Sequence, residues 1–138
     1  MQILVRLAAM LALLVVGCVD LGEPLERGSS ILDETINGRS LWYPSGGTFD
    51  VVLEEIGSAG LVWEYELSDS TVIRVDSVTY KHTPLPPPPI PVGGSATKTI
   101  HFSTARPGQC GVYLFEHQPW MKNVPPYRVV RFLIVVQP

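Results

Sequence analysis

Cysteine and histidine are scarce in this chain of 138 residues: Cys18 and Cys110 are its two cysteines, and His82, His101 and His117 its three histidines. A small fold stapled by several disulfides is therefore excluded. The histidines stand far apart in sequence, none with a second ligand at the short spacing of a metal site, so no metal centre is expected. Positive charge is also short, with Lys and Arg totalling 10 against 13 Asp and Glu. No basic stripe interleaved with aromatics runs along the chain, which argues against nucleic acid as a partner. Neither a nucleophile elbow nor a phosphate-binding glycine loop is present. Glu54-Glu55 and Ser68-Asp69-Ser70 are ordinary for sheet surfaces and turns. These absences together predict a protein that is not an enzyme, with no catalytic residue, metal or cofactor.

The longest unbroken apolar run is at the start. Arg6 precedes Leu7 to Val16, and the run ends Leu14-Val15-Val16-Gly17-Cys18. That run is too short for the roughly twenty residues a spanning helix needs. Aliphatic residues followed by a small residue and then cysteine read as a bacterial lipoprotein signal over residues 1–17. Cleavage before Cys18 would leave a lipidated cysteine as the first mature residue. Its thiol and amine together would carry three acyl chains, a firm anchor where a single chain holds only marginally. The alternatives are an ordinary secretory signal cleaved nearby or an uncleaved anchor. The expected location is the bacterial cell envelope, on a membrane through the lipid, at the outer membrane or periplasmic face. With Cys18 modified, Cys110 has no disulfide partner. It lies between Gly108-Gln109 and Gly111-Val112 with no His or acid close in sequence to activate it, so a buried or half-buried structural thiol is expected.

From Cys18 to Gly38 the chain is acidic and weakly patterned, with Asp20, Glu23, Glu26, Asp33 and Glu34 interrupted by Gly22, Pro24, Gly28 and Ser29-Ser30. This reads as a flexible tether over residues 18–38, holding a domain on the order of 25 Å from the lipid.

Residues 39–138 read as a single all-β domain. Phe49, Val51 and Leu53 alternate with polar neighbours, and Leu61, Trp63, Tyr65 and Leu67 alternate with Glu64 and Glu66, the period of half-buried strands. Ile73 and Val75, Ile100 and Phe102, and Val112 and Leu114 repeat it. Val130, Phe132, Ile134 and Val136 form a last strand, and Ser40 to Tyr43 a short one. About seven strands without a capped helix predict an immunoglobulin-like β-sandwich, with Trp63 as its core indole. Pro84, Pro86 to Pro89 and Pro91 would make a stiff strut leading into Gly93-Gly94, and Pro125-Pro126 separates Trp120 from the last strand. Acidic residues dominate the first half and basic ones the second, which interleaved strands would bring together as cross-strand pairs.

Three loop signatures remain. Ile56-Gly57-Ser58-Ala59-Gly60 precedes Leu61-Val62-Trp63, Val92-Gly93-Gly94 follows the proline run, and Gln118-Pro119-Trp120 follows a strand. The order and spacing of these loops resemble the chagasin family of inhibitors of papain-like cysteine proteases. Gly60, Trp63, Gly93, Gly94, Pro119 and Trp120 agree with that family's loops, and Asn37-Gly38 and Gly108 sit where it has a turn and a strand-leading glycine. Ile56, Gly57 and Ala59 stand where the family has Asn, Pro and Thr, Pro91 where it has Gly, and Gln118 where it has Arg. The resemblance implies an immunoglobulin-like fold and a papain-like cysteine protease as partner, bound reversibly by a monomer. Ile56 to Gly60 would enter the groove at the catalytic centre, Val92 to Gly94 would pack along one flank, and Gln118 to Trp120 would anchor the other. The missing Arg at position 118 implies weaker binding or a different target. The competing reading is a non-inhibitory envelope lipoprotein whose sandwich serves binding or structure. Trp120 separates the two, since an exposed indole beside residues 57–60 fits an inhibitor and a buried one fits a structural corner.

Overall fold

A computed structural model of the chain describes residues 25–82, 87 and 94–138. The signal residues, Cys18 and nearly all of the proline run lie outside the described residues. Among those described, nine strands run in the order β1 Glu26–Arg27, β2 Ile31–Leu32, β3 Ser40–Pro44, β4 Thr48–Glu55, β5 Val62–Leu67, β6 Ile73–His82, β7 Ala96–Thr104, β8 Gly108–His117 and β9 Arg128–Gln137. They form two sheets, β1-β3-β9-β8-β5 and β2-β4-β7-β6. The immunoglobulin-like sandwich is as expected, its seven longer strands matching the seven patterned segments. None of the described helical turns is long and apolar enough to cross a membrane.

The alternating residues meet between the sheets. Phe49, Val51 and Leu53 from β4 and Ile100 and Phe102 from β7 face Trp63, Val112, Leu114, Phe132 and Ile134 from the other sheet, all buried. Tyr43, Phe49 and Phe102 stack in series with ring centroids 4.5 and 4.9 Å apart. Cys110 is fully buried and free, as its sequence context suggested.

Three expectations change. Residues 25–38 are not the end of a loose tether, because β1 pairs in parallel with β3 and β2 in parallel with β4. Leu32 and Ile36 enter the core, and Asp33 caps a 3₁₀ turn, Glu34–Ile36, by accepting from the Thr35 N–H at 2.9 Å. The two apolar residues outweigh the acidic surroundings. Tyr65, aligned by periodicity with Trp63, is 40% exposed; its strand is the sheet edge, and its ring reaches only the rim of Phe102 at 6.5 Å. Ile73 is buried, but Val75 is only half-buried because a register shift between Val75 and Ser77 bends β6. His101 and His117, too far apart in sequence to suggest a shared role, each lie on a strand beside a carboxylate, with ring nitrogens 2.7 Å from Asp50 and 2.6 Å from Glu64 respectively. The expected meeting of early acids with late bases does occur, in Glu34–Arg128, Glu55–Lys98 and Asp69–Arg106.

Strand register decides where the connections go. Glu55 and His82 both lie beside Ala96, Val62 beside His117, and Glu116 beside Arg128. The β4–β5, β6–β7 and β8–β9 connections therefore emerge at one end of the sandwich, and these are the three loops singled out in the sequence.

Tyr43 gives the fold a measurable alkaline limit. Its hydroxyl donates to the Ser29 carbonyl at 2.6 Å, and burial pushes its pKa from 10.0 up to about 12. The folded state thus holds this proton more tightly than the unfolded chain. Its contribution is complete below pH 10.0 and is lost as pH rises towards about 12. That loss is roughly 1–3 kcal/mol. In denaturant titrations Tyr43→Phe should cost about 1 kcal/mol at neutral pH for the lost hydrogen bond, and the gap from the parent should close as the buffer is made strongly alkaline. A gap that stays constant with pH would contradict this assignment.

Candidate functional site

The β4–β5 loop is built from residues too small to obstruct an approach. Gly57–Ala59 form a single 3₁₀ turn, closed by Ala59 N–H donating to the Ile56 carbonyl at 3.1 Å and Gly60 N–H to the Gly57 carbonyl at 2.9 Å. Gly60 leaves the turn at φ 70°, a left-handed conformation that glycine adopts without penalty. A side chain there meets a second obstacle, since an added Cβ would lie 1.9 Å from Cη2 of Trp120.

Trp120 comes from the β8–β9 loop, which turns back when Met121 N–H donates to the Gln118 carbonyl at 3.0 Å. Gln118 Nε2 donates to the Ala59 carbonyl at 2.9 Å, a direct tie between the two loops. With its indole edge resting on Gly60, Trp120 is still 63% exposed. Ile56 on the β4–β5 loop and Met121, Val124 and Tyr127 on the β8–β9 loop are also exposed, giving this end of the sandwich further apolar surface. Asn123 takes φ 61° to reverse the chain, a conformation Asn tolerates better than most residues. In the β6–β7 connection Gly94 is exposed, and Val92 and Gly93 lie outside the described residues. Between this connection and the β4–β5 loop runs an open groove lined by Glu55, Gly57, Ser58, Tyr80, His82 and Gly94.

A polar cluster underlies the loops. Trp63 is fully buried, and its Nε1 donates to the Glu54 carbonyl at 2.9 Å. Its backbone N–H donates to Glu55 Oε2 at 3.0 Å, while its carbonyl accepts from Lys98 Nζ. Glu55 and Lys98 are buried and 3.6 Å apart. Arg128 lies over the Trp63 ring at 5.0 Å and grips buried Glu116 through Nε at 2.5 Å and Nη2 at 3.0 Å. It also reaches Glu34 at 2.8 and 3.0 Å and the Glu54 carbonyl at 3.1 Å. The hydrogen bonds and charge of Glu116, reinforced by Glu34, hold the guanidinium proton still more firmly than usual.

The structure thus brings Ile56 to Gly60 and Gln118 to Trp120 together, with Gly94 across the groove. The sequence reading missed Met121, Val124 and Tyr127. Their signal was the stretch Trp120 to Tyr127, whose apolar residues follow no strand period and so have no face to bury. It also missed Arg128 and Glu116 as the loops' foundation. No cluster of three or more His, Cys, Asp or Glu suited to a metal occurs among the described residues.

Comparison with known proteins adds a family. The sequence model described as chagasin family peptidase inhibitor I42 matches residues 43–135, more than half of the chain. No match is found among curated proteins. Among solved structures, a cysteine protease inhibitor from Entamoeba histolytica superposes with a TM-score of 0.68 at 22% identity, covering 78% of this chain and 94% of that one. Amebosin gives a TM-score of 0.59 at 18% identity, covering 80% of this chain and 100% of that one. PbICP-C, solved in complex with falcipain-2, gives 0.51 at 13% identity, covering 83% and 95%. At these identities the likeness establishes the fold.

The Gly60–Trp120 contact yields a two-part expectation. Gly60→Ala should destabilise the domain by about 1–3 kcal/mol, through left-handed backbone strain plus the clash with the indole. In a Trp120→Ala background the same change should cost only about 1 kcal/mol, the backbone part. Thermal or urea unfolding of the four proteins measures both values, and equal costs in the two backgrounds would show that the indole does not rest on Gly60 in solution.

Proposed function

Given that the chain belongs to the chagasin family of peptidase inhibitors, we propose that it is a reversible inhibitor of papain-like cysteine proteases, acting through the three loops at one end of its sandwich. The observation that carries this reading is Trp120, an indole 63% exposed and braced on Gly60. A large apolar side chain held out to solvent by its neighbours is the usual form of an interface anchor.

The geometry suits a narrow groove. Gly57, Ser58 and Ala59 form a tight turn, not an extended strand, so they would bring backbone close to a catalytic thiol without offering a cleavable conformation. The Gln118 bond to Ala59 and the Trp120 contact with Gly60 fix the two loops before any partner arrives, reducing the ordering cost of binding. Gly94, with Val92 and Gly93 before it, would pack along the opposite flank. Gln118 spends its amide inside the molecule, where the family's Arg carries a charge, so affinity here would rest on the exposed apolar residues Ile56, Trp120, Met121 and Tyr127. The sequence Leu14 to Cys18 supports lipid attachment at Cys18, and with it a place at the bacterial envelope.

Titration of papain and a cathepsin L-type enzyme with the chain from Leu25 onward tests the reading. Reversible inhibition is expected, and Trp120→Ala should weaken it by about 2–4 kcal/mol, roughly 30- to 1000-fold in the inhibition constant. An unchanged constant would remove Trp120 from the interface. Absence of inhibition of either enzyme at micromolar concentration would return the protein to the class of envelope binding modules.

A further inference from the structure

The middle of β8 holds a glycine that the domain itself does not require. Gly111 lies level with Leu133 of β9, inside a strand, where glycine weakens a sheet because it has no side chain to pack. Its backbone is not in the left-handed region. An added Cβ would meet nothing closer than Ser68 Oγ at 3.6 Å, an ordinary contact. Neither backbone geometry nor internal packing explains the missing side chain. A glycine of this kind commonly marks a close approach from outside.

Space is left at the same place. Val112 and Phe132 point into the core, so alternation turns Gly111, Tyr113, Arg131 and Leu133 outward on one face of one sheet. Gly111 and Leu133 floor an open depression of about 480 Å³, with Ser68 on the β5 side and Ser40 on the β3 side. Tyr113 and Arg131 form its wall, the guanidinium 4.8 Å from the ring centroid. The depression is remote from the three loops, which β8 reaches only at His117, its other end.

Charge lines this depression unevenly. Arg131 stands on one side and Glu66 on the other, each level with Tyr113 on a strand flanking β8. Both are exposed, and neither has an ion-pair partner among the described residues. Arg39 adds a second cation on the Arg131 side, although Glu26 already pairs with it. Ser68 Oγ accepts from Gly111 N–H at 2.8 Å and keeps its own proton to donate. An apolar floor with a cation at one edge and a carboxylate at the other complements a short molecule that carries a carboxylate and an amine at its ends. β5 and β9 are two strand spacings apart, about 10 Å, and three extended peptide residues cover about the same distance.

We infer that this depression binds a short peptide with free ends, its carboxylate on Arg131, its amine on Glu66 and its aliphatic side chains over Gly111 and Leu133. The experiment is equilibrium dialysis of the full-length chain against alanyl-leucyl-alanine and against its N-acetyl and C-amide forms. Saturable binding of the free tripeptide is expected. Arg131→Gln and C-amidation should each weaken it about tenfold or more, as should Glu66→Gln and N-acetylation, each change removing one charge-assisted hydrogen bond. Gly111→Leu should abolish binding yet melt no lower than the parent, because the new side chain enters open space and relieves a strand of its glycine. No saturable binding, or binding that survives Gly111→Leu, would overturn the site. Equal binding of the three peptide forms would overturn the assigned chemistry. A lower melting temperature for Gly111→Leu would show that the fold itself needs this glycine and overturn the inference at its premise. Binding that falls as protein concentration rises, with dimers in sedimentation velocity, would give the face to a second copy of the chain instead.

Discussion

Arg128 over Trp63 is the interaction on which the loop-bearing end depends. The guanidinium sits at the first residue of β9 and binds side chains from β8 and the N-terminal 3₁₀ turn, a carbonyl from β4, and the indole face from β5. Glu116 is buried, so its charge is tolerable only while this partner remains. Both inner loops are rooted in residues of this cluster: the β4–β5 loop runs between Glu55 and Trp63, and the β8–β9 loop between Glu116 and Arg128. A sandwich with a free cysteine and no disulfide among its described residues thus fixes its loop-bearing end by charge and an aromatic face, where many secreted domains use a covalent bridge.

Rigidity beneath the loops changes what their side chains can do. A tryptophan on a mobile loop would fold onto the nearest apolar surface. Here the surface offered to Trp120 is the bare backbone of Gly60, which supports the indole edge and leaves most of the ring uncovered. The same glycine gives the chain its left-handed exit from the preceding turn. One residue therefore shapes one loop and supports the exposed indole of another, and both tasks require the absence of a Cβ.

Much of the architecture could be read from alternation alone, because Phe49, Val51, Leu53 and Val130 to Val136 lie on strands with one covered face, where burial imposes a period of two. The loop residues were identifiable through resemblance and through their small size. What escaped had no local signature. Leu32 and Ile36 are single apolar residues in an acidic stretch, and only the completed sheets reveal the space they fill. Glu34 and Arg128 are 94 residues apart, and charge in an unaligned sequence does not say which distant partner it will find. Tyr65 failed in the opposite sense, since its pattern was correct and its strand turned out to be an edge.

The parallel pairing of β3 with β9 has a consequence for how the chain comes into being. The last strand lies at the centre of its sheet, with β3 on one side and β8 on the other. Until residues near 137 leave the ribosome, the five-stranded sheet is two unconnected parts, and the facing sheet has half a core to close against. Such topology, in which distant segments must meet before any large surface is buried, folds slowly. The sandwich therefore cannot lock until β9 has been made, and the strands before it wait with one face open.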